Sequence, residues 1–281
     1  MRNIKLWILG TFAVAAVLPG VAQAGHGGSP QAIQQAIAAN SVDAIQAELE
    51  RAEFLVCSAC VDLVMPLVDH PDYRVRRVAA WWLSRRAVAN QVQVSMLNRL
   101  SQPDSTAAGN AADVLGELHM PSSIPALGAA LSNPTYSDVA RASMAQALGT
   151  IGRPAGVSFL TSALSDSQPK VRVASLVALR TIPGFHDGSV AEPLVSDADD
   201  TVRAEAAVTI GQLKDAAGAA ALVGALGDPS ANVRKKAAWA LGEIHAPSSV
   251  AGAALSTAAN GDSSAAVRSL AHIAVSHLSA N

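Results

Sequence analysis

VRKKAAWALGEI, from Val233 to Ile244, aligns without gaps on VRAEAAVTIGQL from Val202, VRVASLVALRTI from Val171 and VRRVAAWWLSRR from Val75, and Val267 opens a further copy. Weaker copies start at Ala107 and Ala140, so the anchors at 75, 107, 140, 171, 202, 233 and 267 lie 32, 33, 31, 31, 31 and 34 residues apart. A period of this size implies stacked supersecondary units rather than one globular core. Within the clearest copy, Val233, Ala237, Leu241 and Ile244 form one apolar stripe at helical spacing, flanked by Ala238 and Ala240. The preceding run, AALVGALG, stops at Asp228-Pro229-Ser230, where proline ends one helix and Asp or Ser caps the next. Each unit is therefore a helical hairpin without a core of its own, stabilised by its neighbours.

Two charges recur with the repeat. Asp166, Asp197, Asp228 and Asp262 stand five residues before their Val anchors, and Arg172, Arg203, Arg234 and Arg268 one residue after. Charges at one phase of successive units pair between units and with helix-start amides, which predicts a ladder along the stack. Composition agrees with close helix packing: hydrophobic residues make up 50% of the 281-residue chain and aromatics 4%, so Ala, Val and Leu carry the apolar content.

With the Asp, Val-Arg, Ala-Ala and Leu-Gly phases in place, the chain from about residue 55 to 281 resembles short HEAT repeats, of the kind also found in phycocyanobilin lyase subunits. The resemblance implies an all-α, right-handed solenoid of about seven two-helix units of about 31 residues. It also implies that the Val-Arg helices line the concave, binding side. Bilin lyase or chaperone activity follows from the resemblance alone, and the leader described next argues against it. The N-terminal half departs from the pattern: Ala107 and Ala140 replace the Val anchor, and His70, Gln102 and Thr135 replace the Asp.

Arg2 and Lys5 precede an apolar run from Leu6 to Leu18, followed by Pro19-Gly20 and Ala22-Gln23-Ala24, the pattern of a secretory signal peptide over residues 1–24. The run of 13 residues falls short of the ~20 a spanning helix needs. Loss of the leader changes the formal charge from −2 to −4, which is unsuited to phosphate-neutralising nucleic-acid binding. Residues 25–30, GHGGSP, are expected as a flexible start, residues 31–54 as an N-terminal helical cap with Ser41 capping its second helix, and residues 55–281 as the repeat array.

Three features are candidates for chemistry or binding. Cys57 and Cys60 form CSAC, read as a structural disulfide at a helix start, with a redox-active pair or a metal site as alternatives. Arg74, Arg77, Trp81 and Arg85 share one face of a helix, where guanidinium groups beside an indole suit carboxylate, sulfate or sugar ligands. The other reading of that face is a solvated basic surface with Trp81 packed on the next unit. Trp239 repeats the phase of Trp81, with Asp113, Gln146, Val177 and Val208 between them, so a groove through these positions is aromatic at its ends and small or polar in its middle. His119 and His245, in GELH and GEIH, fall just past helix ends, where the last carbonyls are their natural partners.

No nucleophile–base pair, carboxylate dyad, metal cluster or phosphate-binding loop stands out. The expectation is a non-enzymatic exported scaffold, periplasmic or secreted, that binds a protein or peptide partner in the cell envelope at Arg74, Arg77, Trp81, Arg85 and Trp239. It includes no catalytic residue, cofactor, metal, nucleic acid or membrane span after leader cleavage. The alternative is a thiol-disulfide or redox-sensing protein using Cys57 and Cys60.

Overall fold

A computed structural model describes residues 28–55 and 57–278, so the expected leader lies outside the described residues. Fifteen α-helices follow one another: α1 (Pro30–Ala38), α2 (Val42–Arg51), α3 (Ser58–Val64), α4 (Tyr73–Ser84), α5 (Ala89–Leu100), α6 (Ser105–Glu117), α7 (Ile124–Leu131), α8 (Asp138–Ile151), α9 (Val157–Ala163), α10 (Pro169–Thr181), α11 (Asp200–Leu213), α12 (Ala219–Ala225), α13 (Ala231–Glu243), α14 (Ser248–Gly261) and α15 (Ala265–His277). Each Val-Arg phrase lies in the second helix of a hairpin, and α4, α6, α8, α10, α11, α13 and α15 are those second helices. They form one continuous layer, in which α6 packs on α8, α8 on α10, α10 on α11, α11 on α13 and α13 on α15. The fold is an all-α solenoid, as the periodicity requires.

The apolar stripe explains the stacking. Val75, Val171, Val202, Val233 and Val267 are fully buried, and so, eight residues later, are Leu83, Leu115, Leu148, Leu179, Ile210 and Leu241. The same phase in the last helix, Val275, is 37% exposed because no further unit covers it. Deleting one of the interior leucines to alanine costs about 2–5 kcal/mol. One residue beyond them, glycine lets the backbones of neighbouring units touch. A Cβ on Gly149 would lie 2.8 Å from the Ala178 Cα, and one on Gly211 would meet both Ala240 and the Trp239 ring at 2.9–3.0 Å.

The first helices are less regular. In the fifth unit a 3-10 segment, Gly188–Ser196, takes the place of an α-helix, with Pro193 inside it, where proline removes an intrahelical donor. At the N-terminal end α1 and α2 pack as a hairpin, and α2 lies against α4. Ser29 and Ser41 cap α1 and α2 through their side-chain oxygens. Of the expected flexible start, residues 28–30 are held: the Gly28 N–H donates to the Arg51 carbonyl at 3.2 Å, and α1 begins at Pro30.

The charge ladder is present over the second half. Arg141 pairs with Asp166, Arg172 with Asp197 at 2.6 Å, Arg203 with Asp228 at 2.6 Å and Arg234 with Asp262 at 2.7 Å. Each of these last three arginines also donates to the carbonyl of the Asp in its own unit, at 2.7–3.0 Å. Each ladder Asp accepts, in turn, from a backbone N–H two residues on, at Gln168, Asp199, Ser230 and Ser264. One rung therefore ties two loops and two units together. For Asp197 and Asp228, burial pushes the carboxyl pKa up, but the hydrogen bonds and charge of Arg172 and Arg203 outweigh it and the net direction is down. In Asp262 the Arg234 hydrogen bond is the largest influence, with the same result.

Candidate functional site

The N-terminal end breaks the ladder. Arg76 occupies the Val-Arg position of α4, but Gln102 stands where the next unit needs an Asp. Arg76 donates to the carbonyls of His70 and Pro71 at 2.8 Å, as a ladder arginine does, and then reaches Asp113 on α6 at 2.5 Å. Both side chains are buried, at 8% and 5% exposure. Burial dominates at Asp113 and raises its pKa despite the hydrogen bonds from Arg76 and Ser143.

Beside this pair α2, α4 and α6 enclose a pocket of about 600 Å³ lined by Gln46, Glu50, Glu53, Arg74, Arg77, Val78, Trp81 and Glu117. Trp82, the neighbour of Trp81, anchors its base: it is fully buried and its Nε1 donates to the Ala52 carbonyl at 3.0 Å. Arg86 stacks on the Trp82 ring with its guanidinium carbon 3.3 Å from the centroid. It donates to the carbonyls of Ala52, Glu53 and Leu55 at 2.8–3.3 Å. That clamp fixes the turn after α2, placing Glu53 at the pocket wall and leaving Phe54 87% exposed.

Arg74, Arg77 and Trp81 thus meet in one pocket, and Arg85 lies over the Trp81 ring at 4.4 Å. Trp239 is not brought to them: it lies in α13, half-buried against Gly211. The guanidinium groups expected to meet an anion or sugar are each paired with a carboxylate. Arg74 pairs with Asp43 at 3.0 Å and Asp72 at 3.4 Å, Arg77 with Glu117 at 2.8 Å, and Arg85 with Glu53 at 3.2 Å. Of the three carboxylates lining the pocket, Glu50 is the one without an ion pair, and its Oε1 accepts from Gln46 Nε2 at 2.9 Å. An aromatic ring, an apolar Val78 and an uncompensated carboxylate suit a cation on an aliphatic stem.

Glu50, Glu53, Glu117 and Arg76 are absent from the expected site. Glu50 and Glu53 stand ahead of the repeats, where no period singles them out, whereas Glu117 shares the GELH/GEIH phase with Glu243 and Arg76 holds the Val-Arg phase. Cys57 and Cys60 stand at the start of α3 with their sulfurs at bonding distance, their Cα atoms 5.3 Å apart and the Cys57 Sγ accepting from the Cys60 N–H. His119 and His245 adopt left-handed backbone after α6 and α13, with φ of 52° and 47°. Their Nδ1 atoms meet the carbonyls of Glu117 at 2.8 Å and His277 at 3.0 Å. Among the described residues no group of three or more His, Cys, Asp or Glu side chains is placed to hold a metal ion. None of the described helices is long and apolar enough to cross a membrane.

The HEAT-repeat pattern matches residues 94–180 and 189–276. Deoxyhypusine hydroxylase from Bos taurus is 30% identical over 139 residues, which cover 50% of this chain and 44% of that protein. Its counterpart from Gibberella zeae is 35% identical over 105 residues, 37% of this chain and 31% of that one. The chain thus spans less than half the length of these relatives. Among solved structures, the complex of CpcE and CpcF of phycocyanin lyase from Nostoc sp. PCC7120 is 22% identical, covers 78% of this chain and 94% of its own, and has a TM-score of 0.43. These relatives overturn the expected non-enzymatic scaffold, since the named proteins are enzymes, and they give no support to the thiol-disulfide or redox-sensing alternative. The burial of Cys60 also runs against a reactive thiol. Hairpins of about 31 residues, buried Val and Leu phases and a pattern match over more than half of its length place this chain in the HEAT-repeat family.

Proposed function

We propose that the chain is an enzyme, as its relatives are, and that it takes up an extended, positively charged side chain of a protein or peptide in the pocket over Trp81. The observation that carries this reading is Glu50, unpaired beside Trp81 and Val78 in a pocket whose arginines are each neutralised. An ammonium group on a hydrocarbon stem satisfies both parts: the stem covers Val78 and the indole edge, and the charge meets Glu50. Deoxyhypusine, the compound in the relatives' name, is a basic amino acid of this class. Repeat solenoids in general present extended surfaces for protein partners, so a side chain delivered on a protein segment fits the architecture. The same reading places the mature chain outside the cytoplasm on the strength of residues 1–24. Sequencing the N-terminus of protein recovered from its cells checks that: a start at Gly25 supports export, and retention of Met1 refutes it.

Titration calorimetry with Nα-acetyl-lysine amide tests the site, with Nα-acetyl-norleucine amide as the uncharged counterpart. The lysine compound is expected to bind and the norleucine compound to bind at least tenfold more weakly, a difference of ~1.4 kcal/mol. Glu50→Gln removes that preference without a change in thermal stability, because Glu50 is exposed. Equal binding of the two compounds to the wild type contradicts the proposal.

A further inference from the structure

A second cavity, of about 490 Å³, lies next along the groove between α4, α6, α8 and α10. It adjoins the Trp81 pocket by one helical turn on two elements. Tyr73 and Arg77 on α4 are four residues apart, with the guanidinium 5.8 Å from the ring, and Asp113 and Glu117 on α6 have the same spacing. The Arg77–Glu117 bridge is the ridge between the two cavities.

The chemistry differs from one to the next. The second cavity's charges, Arg76 and Asp113, are spent on each other. The rest of its polar lining is neutral, with Ser143, Gln146 and Thr150 along one face of α8 and Thr181 on α10. Two of the hydroxyls donate into their own helices, Thr150 to the Gln146 carbonyl at 3.0 Å and Thr181 to the Ala178 carbonyl at 2.7 Å, so their lone pairs face outward as acceptors. The Gln146 side-chain amide, exposed and unpartnered, offers a donor and an acceptor together. Arg76 Nε is buried without an acceptor. Alternating neutral donors and acceptors match the N–H and C=O of an extended main chain, which advances about 3.3 Å per residue. The ridge is therefore crossed in two or three residues.

We infer that this second cavity binds the main chain of an uncharged segment adjoining the basic residue held over Trp81, so that the two cavities read a short peptide rather than an isolated amine. This rests on the function proposed above. The test is calorimetry with three probes: Nα-acetyl-lysine amide, acetyl-Gly-Gly-Lys-Gly-Gly-amide and acetyl-pentaglycine amide. The lysine pentapeptide is expected to bind about tenfold more tightly than acetyl-lysine amide, as two or so net hydrogen bonds provide. Gln146→Ala combined with Thr150→Ala, both exposed positions, removes the gain and leaves acetyl-lysine amide binding as it was. Equal affinity of the pentapeptide and acetyl-lysine amide overturns the inference and leaves the Trp81 pocket standing. Binding of pentaglycine that depends on Gln146, with none of acetyl-lysine amide, supports the second cavity and refutes the pocket. Failure of all three probes overturns both.

Discussion

The units from Asp138 onward and the first two repeat units are made of the same hairpin, yet they spend their charges differently. In the later units Arg141, Arg172, Arg203 and Arg234 each meet the Asp of the following unit, and the pair is shielded in the joint between units. In the first unit the matching Asp is missing, Arg76 turns into the groove toward Asp113, and the surrounding carboxylates and guanidiniums gather around Trp81 instead of around a joint. Regular repeats stack, and it is where the regularity lapses that polar groups are released from stacking to face a ligand. Local rules broken together in one region are the usual mark of a functional site.

The most severe test of this contrast is Trp82→Ala. Loss of a buried tryptophan costs about 3–5 kcal/mol, and here it also strips the Ala52 carbonyl of a donor and Arg86 of its stacking partner. Because units lean on their neighbours, hydrogen exchange is expected to accelerate over α1–α4 while α11–α15 keep their protection. Uniform loss of protection would show that the two regions are one cooperative body.

Asp228→Ala gives the converse. Removing one partner of a buried pair costs about 3 kcal/mol, and both Arg203 and the Ser230 N–H lose their acceptor. Thermal stability should fall while acetyl-lysine amide binding stays at its wild-type value. A parallel loss of binding would mean that the ladder and the pocket are coupled.

The disulfide comes next. Intact-mass measurement should find the protein lighter than its reduced form by the two hydrogens of the thiols, and Cys57→Ser with Cys60→Ser should cost no more than about 2 kcal/mol because the closed loop is short. Free thiols in the isolated protein would refute the pairing.

Acid should act with opposite sign at the two ends. Asp197, Asp228 and Asp262 have folded pKa values below the ordinary 3.8, so the stability they confer is present above that value and lost as pH falls through the lowered folded values. Asp113 is raised, so its contribution is complete below the ordinary value and fades as pH rises through the folded one. On moving from neutral to acid pH, hydrogen-exchange protection factors, taken relative to the intrinsic rate at each pH, should therefore fall at the α11–α13–α15 joints more than at the α4–α6 joint. The reverse order would contradict the assignment.

Much of this molecule is legible in its sequence because stacking is periodic. Val233 and Leu241 announce their burial by phase, and Asp228 and Arg203 their pairing by recurrence. The shared face of Arg74, Arg77, Trp81 and Arg85 follows from helical spacing as well. The charge state of that face does not, because Glu53 and Asp43 lie ahead of the repeats and Glu117, though it shares a phase with Glu243, arrives from the helix of another unit. The site expected to attract anions is thus left with an unpaired carboxylate. Trp239 shares the phase of Trp81 but lies four units away, at the other end of the stack, as the repeat count requires. The repeat governs packing, and the proposal of an enzyme rests on the relatives alone.

The claim that recognition belongs to the irregular N-terminal units is tested most directly by mapping Nα-acetyl-lysine amide on the protein by amide chemical-shift perturbation. The account predicts shifts concentrated in α2, α4 and α6, around Glu50, Arg77, Trp81 and Glu117, with α11–α15 unmoved. Shifts centred on the C-terminal units, or spread evenly along the stack, would contradict it.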